Sequence, residues 1–449
     1  MSRRGIGIVA AAVAWQVAVT DRATALCAGD CDFNGAVSIN ELVTGVNLAL
    51  NAESDAVCIA LDVDDNGQVA INELISAVAN ALDGCLAATR QTVAQTYARI
   101  LYANYSDALV GAQALRAAVD VFVDAPNAET QQAAKDAWLA GRPAYLQTEM
   151  ARFYDGPIDN EVDGPEGLIN AWPLDEAYID YVESAADAGI INAVEEFPEI
   201  DADLLVALNE GESETTISTG WHAVEFLLWG QDLTANGAGA RPFTDYVTDG
   251  SGTAANQARR GAYLRAAAEL LVTDIETVRA AWAPDVAGNY RAEFLAAEPN
   301  EALRRILTGM GTLSGGELTG ERLAVAFDTK DQEDEHSCFS DNTHVDHRND
   351  EIGIQNAFLG RYKSVSGPGI YDLVRIADPT LADATRDAFV AARAAIFAIP
   401  VPFDQAIQGS DDTPGRMAIA AAITALNAQT DHVADSAEAL GVPINTTVP

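Results

Sequence analysis

The feature that most constrains the fold is a helical spacing of apolar residues over most of the chain. From about residue 91 onward, long segments place apolar side chains three and four residues apart, with Ala, Leu, Arg and Glu between them. The clearest examples are 92–123, 255–283 and 384–399. Strand-like alternation is scarce in the same region. We therefore predict an all-α body built from two four-helix-bundle-like halves.

Proline and glycine interrupt this pattern at four places, where we predict loops: 156–173, 234–242, 311–322 and 364–369. The chain has 449 residues, 49% of them hydrophobic, which is enough for two or three domains with a packed core. We expect the first helical bundle at 87–285 and the second at 286–449.

The charge balance excludes two classes of partner. There are 67 acidic residues against 26 basic ones, for a formal net charge of -41. Nucleic acid needs clustered Lys and Arg to neutralise its phosphates, and an anionic membrane surface would repel this chain. After the first 25 residues, no run of about 18 apolar residues lacks charges, so membrane insertion is not expected.

The first 25 residues have the pattern of a secretory signal peptide. Arg3 and Arg4 precede an apolar stretch from Ile6 to Val19, and residues 23–25 read Ala-Thr-Ala. This order of charge, apolar core and small residues is typical of a signal that is cut, here before Leu26. We expect an exported protein in the periplasm, at the cell surface or outside the cell.

The cysteines fit an oxidising compartment. Four of the five lie within residues 26–86, and an even set in a short exported segment favours two disulfides with three possible pairings. These four are Cys27, Cys31, Cys58 and Cys85. Cys338 is left over, and it is either a buried thiol, a metal ligand or a reactive thiol.

The same segment contains an internal repeat with a period of 32 residues, "DCDFNGAVSINELVTGVNLAL" and "DVDDNGQVAINELISAVANAL". Each copy matches the D-x-[DN]-x-[DN]-G-x5-E calcium loop of an EF-hand. Ca2+ is coordinated by about six to eight oxygen atoms, which the loop supplies at fixed positions. We therefore predict a calcium module at 26–86 with two Ca2+ sites. The ligands are Asp30, Asp32, Asn34, Ala36 (carbonyl) and Glu41 in the first, and Asp62, Asp64, Asn66, Gln68 (carbonyl) and Glu73 in the second.

The spacing leaves no room for a helix before the first loop, because only four residues separate the expected cleavage site from Asp30. Each unit is therefore a loop followed by a helix. In this respect the segment resembles dockerin modules, which bind calcium and in some systems dock onto cohesin partners. The resemblance implies a structural or adhesive module with a cohesin-like or other surface protein as its partner.

Four of the five histidines fall in two short stretches. His222 lies in "GWHAVEFLLWG", and His336, His344 and His347 lie in an acidic stretch between residues 333 and 350. On a helix, His222 and Glu225 share one face, one turn apart, among residues that are apolar nearly all round.

A buried, ionised Glu225 would cost several kcal/mol unless it were paired or bound to a metal. An internal hydrogen bond, an arginine pair and a metal site all remain open on the residues alone.

Three segments carry a resemblance to a known family. "GWHAVEFLLWGQDL" resembles the G-x-H-x-x-E signature of the imelysin-like family. "GERLAVAFDTKDQEDEHSCFSDNTHVDH" and "YDGPIDNEVDGPEGLINAWPLDEAYIDY" resemble blocks of its iron-regulated, exported branch. The similarity covers roughly residues 90–449.

The resemblance implies two bundle-like halves with the motif at their junction, a role in iron handling, and a historical classification as a metallopeptidase. Gly220, His222 and Glu225 match the signature, and the second block supplies His336, Cys338, Asp341 and His344. The calcium module is not part of the usual family pattern. It implies that this member is additionally tethered or calcium-stabilised.

Our first functional hypothesis is a metal-binding protein of iron uptake or handling, with a metal ion or small iron complex as its ligand. Imidazole and carboxylate suit Fe, and alternatively Zn or Cu. Helical bundles build such sites from facing helices. Beyond His222 and Glu225, the candidate ligands are Glu149, Asp175, His336, Asp341 and His344. Glu149 and Asp175 could instead cap a helix or pair with an arginine.

The second hypothesis is a zinc metallopeptidase with Glu225 as the catalytic base. Water activation needs about three protein ligands and an open position, and the H-E-x-x-H arrangement that commonly supplies them is absent from the sequence. The third hypothesis is a metal-free helical binding module, in which His222 and Glu225 only join two helices.

Overall fold

A computed structural model describes residues 27–32, 35–50, 58, 60–62, 68–234 and 237–446, with the side chain of residue 72 left out. The predicted signal peptide lies outside the described residues. So do three of the predicted calcium ligands, Asn34, Asp64 and Asn66.

The amino-terminal module contains the two repeat helices, which pack against each other. They are α1 (Ile39–Leu50) and α2 (Ile71–Asp83). The disulfides Cys27–Cys85 and Cys31–Cys58 close the module. The prediction of two disulfides among these four cysteines is confirmed, and the three-dimensional arrangement selects the pairing.

The first half of the body is formed by four helices that pack side by side, α3, α4, α8 and α9. Short helices and turns connect α4 to α8 across the surface of this bundle. In chain order the helices are α3 (Arg90–Asp124), α4 (Ala128–Leu146), α5 (Glu166–Ile169), α6 (Glu176–Ile179), α7 (Ala202–Leu208), α8 (Gly220–Trp229) and α9 (Gln257–Ala281). Two 3₁₀ turns lie at Glu149–Ala151 and Phe243–Tyr246.

The second half packs α11 and its π-helical continuation against α13, α15 and α17. Its helices are α10 (Tyr290–Ala296), α11 (Pro299–Thr312), α12 (Val325–Thr329), α13 (Thr343–Leu359), α14 (Ile370–Ala377), α15 (Pro379–Phe397), α16 (Phe403–Ala406) and α17 (Pro414–Ala439). The π-helix spans Leu313–Ala324, and a 3₁₀ turn spans Gln332–Asp334. Two short antiparallel strands, β1 (Arg361–Tyr362) and β2 (Val365–Ser366), form a hairpin.

This architecture confirms the all-α prediction of two four-helix-bundle-like halves. A continuous cluster of buried apolar side chains runs through both halves, and α4 of the first packs directly against α13 of the second. The domain bounds at 285 and 286 remain predictions. In the described part of the chain, no helix has the length and apolar character needed to cross a membrane.

The predicted loop at 311–322 is wrong, because this segment is helical and mostly buried. Its glycines signal close packing rather than a turn. A Cβ atom on Gly315 would lie 2.7 Å from Cγ2 of Thr430 on α17. Glycine therefore lets the π-helix approach α17, which a pattern of loop-forming residues does not reveal.

Candidate metal centre

Helix α8 lies in the interior, and all ten of its residues are buried. Its apolar residues on every side predict this position. Gly220 begins the helix with a φ of 83°, and a Cβ atom there would lie 2.5 Å from the carbonyl oxygen of Ile169. The motif glycine is therefore required by both its backbone conformation and the neighbouring chain.

His222 and Glu225 contact each other on this helix, as their spacing predicts. Nδ1 of His222 lies 3.0 Å from Oε2 of Glu225. The other carboxyl oxygen of Glu225 accepts hydrogen bonds from the backbone N–H (3.0 Å) and the hydroxyl (2.6 Å) of Ser340. Protein groups therefore satisfy both oxygens of Glu225.

Burial raises the pKa of Glu225 to about 8, although the Ser340 hydrogen bonds and Arg142 oppose this shift. Near neutral pH the carboxyl group is therefore largely protonated. The cost of a buried carboxylate is avoided in this way even without a cation. Nε2 of His222 has no hydrogen-bond partner although it is buried.

A second buried histidine faces the first. The rings of His222 and His336 are 4.7 Å apart between centroids and nearly perpendicular. Nδ1 of His336 lies 2.7 Å from Oδ2 of Asp346, at the start of α13. Both histidines thus have Nδ1 occupied by an acidic side chain, which leaves Nε2 as the free ring nitrogen.

Burial lowers the pKa of both histidines, for His336 to about 4 and for His222 well below its usual value. Neighbouring positive charge adds to this effect, from Arg322 at His336 and from Arg142 at His222. Both imidazoles are therefore neutral at physiological pH, which is the form that binds metals.

Asp346 joins the two halves of the body at this centre. The side chain is fully buried and accepts hydrogen bonds from Arg142 of α4 at 3.0 Å and from the Ser337 hydroxyl at 2.5 Å. Burial alone would raise the pKa of Asp346, but Arg142 and His336 outweigh burial and hold it well below its usual range. Asp346 therefore remains ionised and orients His336.

A second buried charge cluster lies next to the histidines. Oε2 of Glu149 accepts hydrogen bonds from Arg152 at 2.8 Å and from Arg322 at 2.7 Å. Burial opposes ionisation of Glu149, but the two arginines prevail and hold its pKa at about 2. Arg322 also pairs with Asp350 of α13 at 2.7 Å.

A pocket of about 400 Å³ connects this region to the surface. His336 and Trp172 line it, and their rings are 5.8 Å apart between centroids. Arg152 and Arg322 line the same space. Of the two facing histidines, His336 is therefore the one that borders the pocket.

The other predicted ligands lie in different settings. Asp175 is exposed and caps α6 by accepting from the N–H of Ala177, and Glu149 pairs with arginines, so each adopts the alternative stated for it. Nδ1 of His344 lies 3.1 Å from the backbone carbonyl oxygen of Asp341. Cys338 is a buried free thiol whose pKa is raised by burial.

Several residues that complete the centre were not predicted: Arg142, Arg152, Trp172, Arg322, Ser340 and Asp346. Asp346 sits in the His-rich acidic stretch, so its proximity in sequence was a usable signal. Of the buried arginines, only Arg142 left a signal, as a charged residue within a mostly apolar helical segment. Their convergence depends on how the two bundles meet.

The first predicted calcium loop brings three acidic side chains together. Oxygens of Asp30, Asp32 and Glu41 lie within 4.8 Å of one another, and within the described ranges no other group of three or more potential metal ligands is as close. Glu41 accepts from the N–H groups of Cys31 at 2.7 Å and Ser38 at 2.6 Å. Glu73 in the second repeat accepts from Ala70 at 2.7 Å, the equivalent contact.

The fold and the centre together define an all-α protein in which two helical bundles enclose a histidine pair held by acidic side chains. The family model of imelysin, a peptidase family designated M75, matches residues 101–433. This chain belongs to the imelysin family.

Two proteins named for iron regulation are similar to it. Iron-regulated protein A of Synechococcus elongatus is 26% identical over 357 residues, which cover 76% of this chain and 84% of that protein. A solved structure from Parabacteroides distasonis, named as a candidate iron-regulated protein A precursor, matches with a TM-score of 0.60 and 20% identity. It covers 78% of this chain and 94% of that one. The structural match establishes the shared fold.

Proposed function

We propose that this protein binds a transition-metal cation, with iron as its cargo, between His222 and His336. The observation that carries the proposal is the pair of facing, neutral imidazoles with both Nδ1 atoms anchored on acidic side chains. The family and the iron-regulated relatives support iron as the metal.

The contacts of Glu225 suggest a role other than the metal ligand that the sequence predicts. Metal-binding histidines usually donate their second N–H to a carboxylate, which fixes the ring and its free nitrogen. Asp346, which is ionised, occupies this position relative to His336. Glu225 occupies it relative to His222 when a bound cation displaces the proton of its carboxyl group, so that Nδ1 of His222 donates to Glu225 and Nε2 is free for the metal. We therefore assign Glu225 the role of an orienting group and His222 and His336 the role of ligands.

Two imidazoles leave coordination positions for water or for ligands that the metal brings with it. This set suits a cargo that must be released, because few protein bonds have to be broken. Zn and Cu also bind imidazole, and the residues alone do not select iron over them.

The test is metal content of the full chain after dialysis against Fe2+ without oxygen, and separately against Zn2+ and Cu2+. We expect one metal per chain in the body of the wild type and none there in His222→Ala and His336→Ala. His432→Ala, on α17, is the matched control and should keep its metal. Equal metal content in all variants would place the metal elsewhere, and no metal in the body of the wild type would leave the metal-free binding module as the better interpretation.

A metallopeptidase is the second candidate, and the name of the family is what favours it. The two imidazoles fall short of the three protein ligands usual for catalytic zinc. Hydrolysis of a denatured protein by the zinc-loaded wild type, lost in Glu225→Gln, would support the peptidase. Equal activity in both proteins would point to a contaminant.

We propose further that the amino-terminal repeats bind two Ca2+ ions. The close oxygens of Asp30, Asp32 and Glu41 support the first site, and the matching contact of Glu73 supports the second. Calorimetry after chelator treatment should find two calcium ions per chain. Glu41→Gln and Glu73→Gln should each lower this number by one, and no uptake by the wild type would overturn the proposal.

The calcium module also has a surface suited to a partner protein. Four apolar side chains on α1 and four on α2 are between 44% and 81% exposed, and the two sets are related by the 32-residue repeat. They are Ile39, Val43, Val46 and Leu50, and Ile71, Ile75, Val78 and Leu82. Exposed apolar stripes of this kind are typical of binding surfaces.

We propose a cohesin-like or other surface protein as the partner of these stripes. Two equivalent stripes would offer it two equivalent positions. The disulfides and the signal-like residues 1–25 support export to the periplasm or the cell surface. Cell fractionation with an antibody to the body of the protein would distinguish these compartments.

A further inference from the structure

The pocket in front of His336 is strongly acidic at its mouth. Five of its lining side chains are glutamates and two are arginines. The glutamates are Glu166, Glu210, Glu214, Glu317 and Glu321, and the arginines are Arg152 and Arg322.

These charges differ with depth. Inside the pocket, Arg152 pairs with Glu166 at 3.2 Å, and Arg322 pairs with Glu317 at 3.0 Å. The inner charges therefore largely balance. At the mouth, Glu210, Glu214 and Glu321 are exposed, and none of them forms an ion pair within the described residues.

The inner end of the pocket supplies an independent sign of a ligand. The side chain of His336 is only 2% exposed, yet it lines the pocket. Asp346 holds its Nδ1 at 2.7 Å, so Nε2 is the ring nitrogen available to a ligand that enters. The acidic mouth and the neutral imidazole thus lie along one path.

The negative charge at the pocket mouth determines whether cations or anions enter more readily. A cleft lined by one sign of charge focuses its field and can raise association rates of an oppositely charged ligand by 10- to 1,000-fold. It repels ligands of the same sign, and the formal net charge of -41 adds to the repulsion. A hydrated divalent cation is therefore favoured over an anionic iron complex.

We propose that the metal enters as a free, hydrated cation, that Glu210, Glu214 and Glu321 attract it, and that the mouth excludes anionic chelates such as ferric citrate. The inference rests on the proposed function and names the chemical form of the cargo.

The experiment measures association of Co2+, an air-stable stand-in for Fe2+, by stopped-flow quenching of tryptophan fluorescence. Trp172 is the reporter, because its ring contacts His336. The test variant is Glu210→Gln/Glu214→Gln/Glu321→Gln. Its matched control, Glu195→Gln/Glu199→Gln/Glu438→Gln, removes the same charge from exposed positions outside the pocket.

We expect the test variant to bind Co2+ about tenfold more slowly than the wild type at low salt, while the control changes little. The difference should vanish at about 0.5 M NaCl, where charges are screened over a few ångströms. In dialysis, the wild type should retain Co2+ but not ferric citrate, and the test variant should discriminate less.

The outcomes separate this inference from the proposed function. Equal association rates for the test and control variants would overturn the inference, and so would retention of ferric citrate by the wild type. In either case, loss of Co2+ in His222→Ala and His336→Ala would still support the metal site. If the wild type retains no metal, both the site and the acidic entry path are wrong.

Discussion

Arg142 shows how much the centre depends on single buried charges. Its side chain is fully buried, donates to Asp346 at 3.0 Å and to Oδ1 of Asn170 at 2.6 Å, and belongs to the opposite bundle from Asp346. Removing one partner of such a pair leaves an uncompensated buried charge, which costs about 3–5 kcal/mol.

We therefore expect Arg142→Met to lower the free energy of unfolding by about 3–5 kcal/mol in urea titrations. The double variant Arg142→Met/Asp346→Asn should recover part of this loss, because it removes both charges. Arg279→Met, which breaks a partly exposed pair with Glu276, is the control and should cost at most about 1 kcal/mol. Equal losses for the Arg142 and Arg279 variants would contradict the argument.

Glu351 on α13 gives a prediction about pH. Burial raises its pKa to about 8 even though the Gln429 amide donates to it at 2.9 Å. Between its ordinary value of 4.5 and about 8, Glu351 is protonated in the folded chain and ionised in the unfolded chain. Folding then takes up a proton, so stability must fall as pH rises through this window.

The variant Glu351→Gln mimics the protonated form and should remove this loss. We expect wild type and variant to be similar near pH 5, with the variant gaining up to about 1.4 kcal/mol per pH unit above it. Urea titrations at pH 5, 6, 7 and 8 would measure the gain. Glu438→Gln, an exposed position, should show the same pH slope as the wild type.

At the level of elements, the contact between the π-helix and α17 depends on glycine. A Cβ atom on Gly315 would lie 2.7 Å from Cγ2 and 3.1 Å from Oγ1 of Thr430, whose branched side chain has little freedom to move in a helix. We expect Gly315→Ala to cost about 1–3 kcal/mol of unfolding free energy.

Gly320 offers a matched control in the same π-helix, because an added Cβ would have no neighbour closer than 3.7 Å. Gly320→Ala should be neutral or stabilising by up to about 1 kcal/mol. Thr430→Ser removes the clashing methyl group and keeps the hydroxyl, so it should reduce the cost of Gly315→Ala. Thermal unfolding of the wild type, Gly315→Ala, Gly320→Ala and Gly315→Ala/Thr430→Ser would show whether glycine is needed for this contact.

The elements also show what pattern reading can detect. The buried position of α8 followed from its apolar residues on every side, and the long amphipathic helices followed from their spacing. The π-helix at Leu313–Ala324 was missed, because glycine occurs both in loops and at close helix contacts. Only the neighbouring α17 distinguishes the two cases.

For the whole molecule, the centre joins the two halves of the body. His222 lies on α8 of the first bundle, and His336 precedes α13 of the second. A metal bound to both should therefore stabilise the folded chain by RT ln(1 + [L]/Kd), about 2.7 kcal/mol when the ligand is at 100 times its Kd.

We expect Co2+ to raise the melting temperature of the body by a few degrees, with the size set by this relation. Differential scanning calorimetry with excess Mg2+ as the control ion would measure the shift. His336→Ala should show no shift with Co2+. A shift of the same size with His336→Ala would place the metal elsewhere.

The sequence by itself determined the helical body, the disulfide-forming cysteines and the spacing of His222 and Glu225, because each depends on neighbours along the chain or on residue chemistry. Only the tertiary structure decided that Ser340 holds Glu225, that Arg322 holds Glu149, and that His336 faces His222. Each of these three contacts joins residues more than a hundred positions apart and depends on how the two bundles pack, which local patterns do not encode.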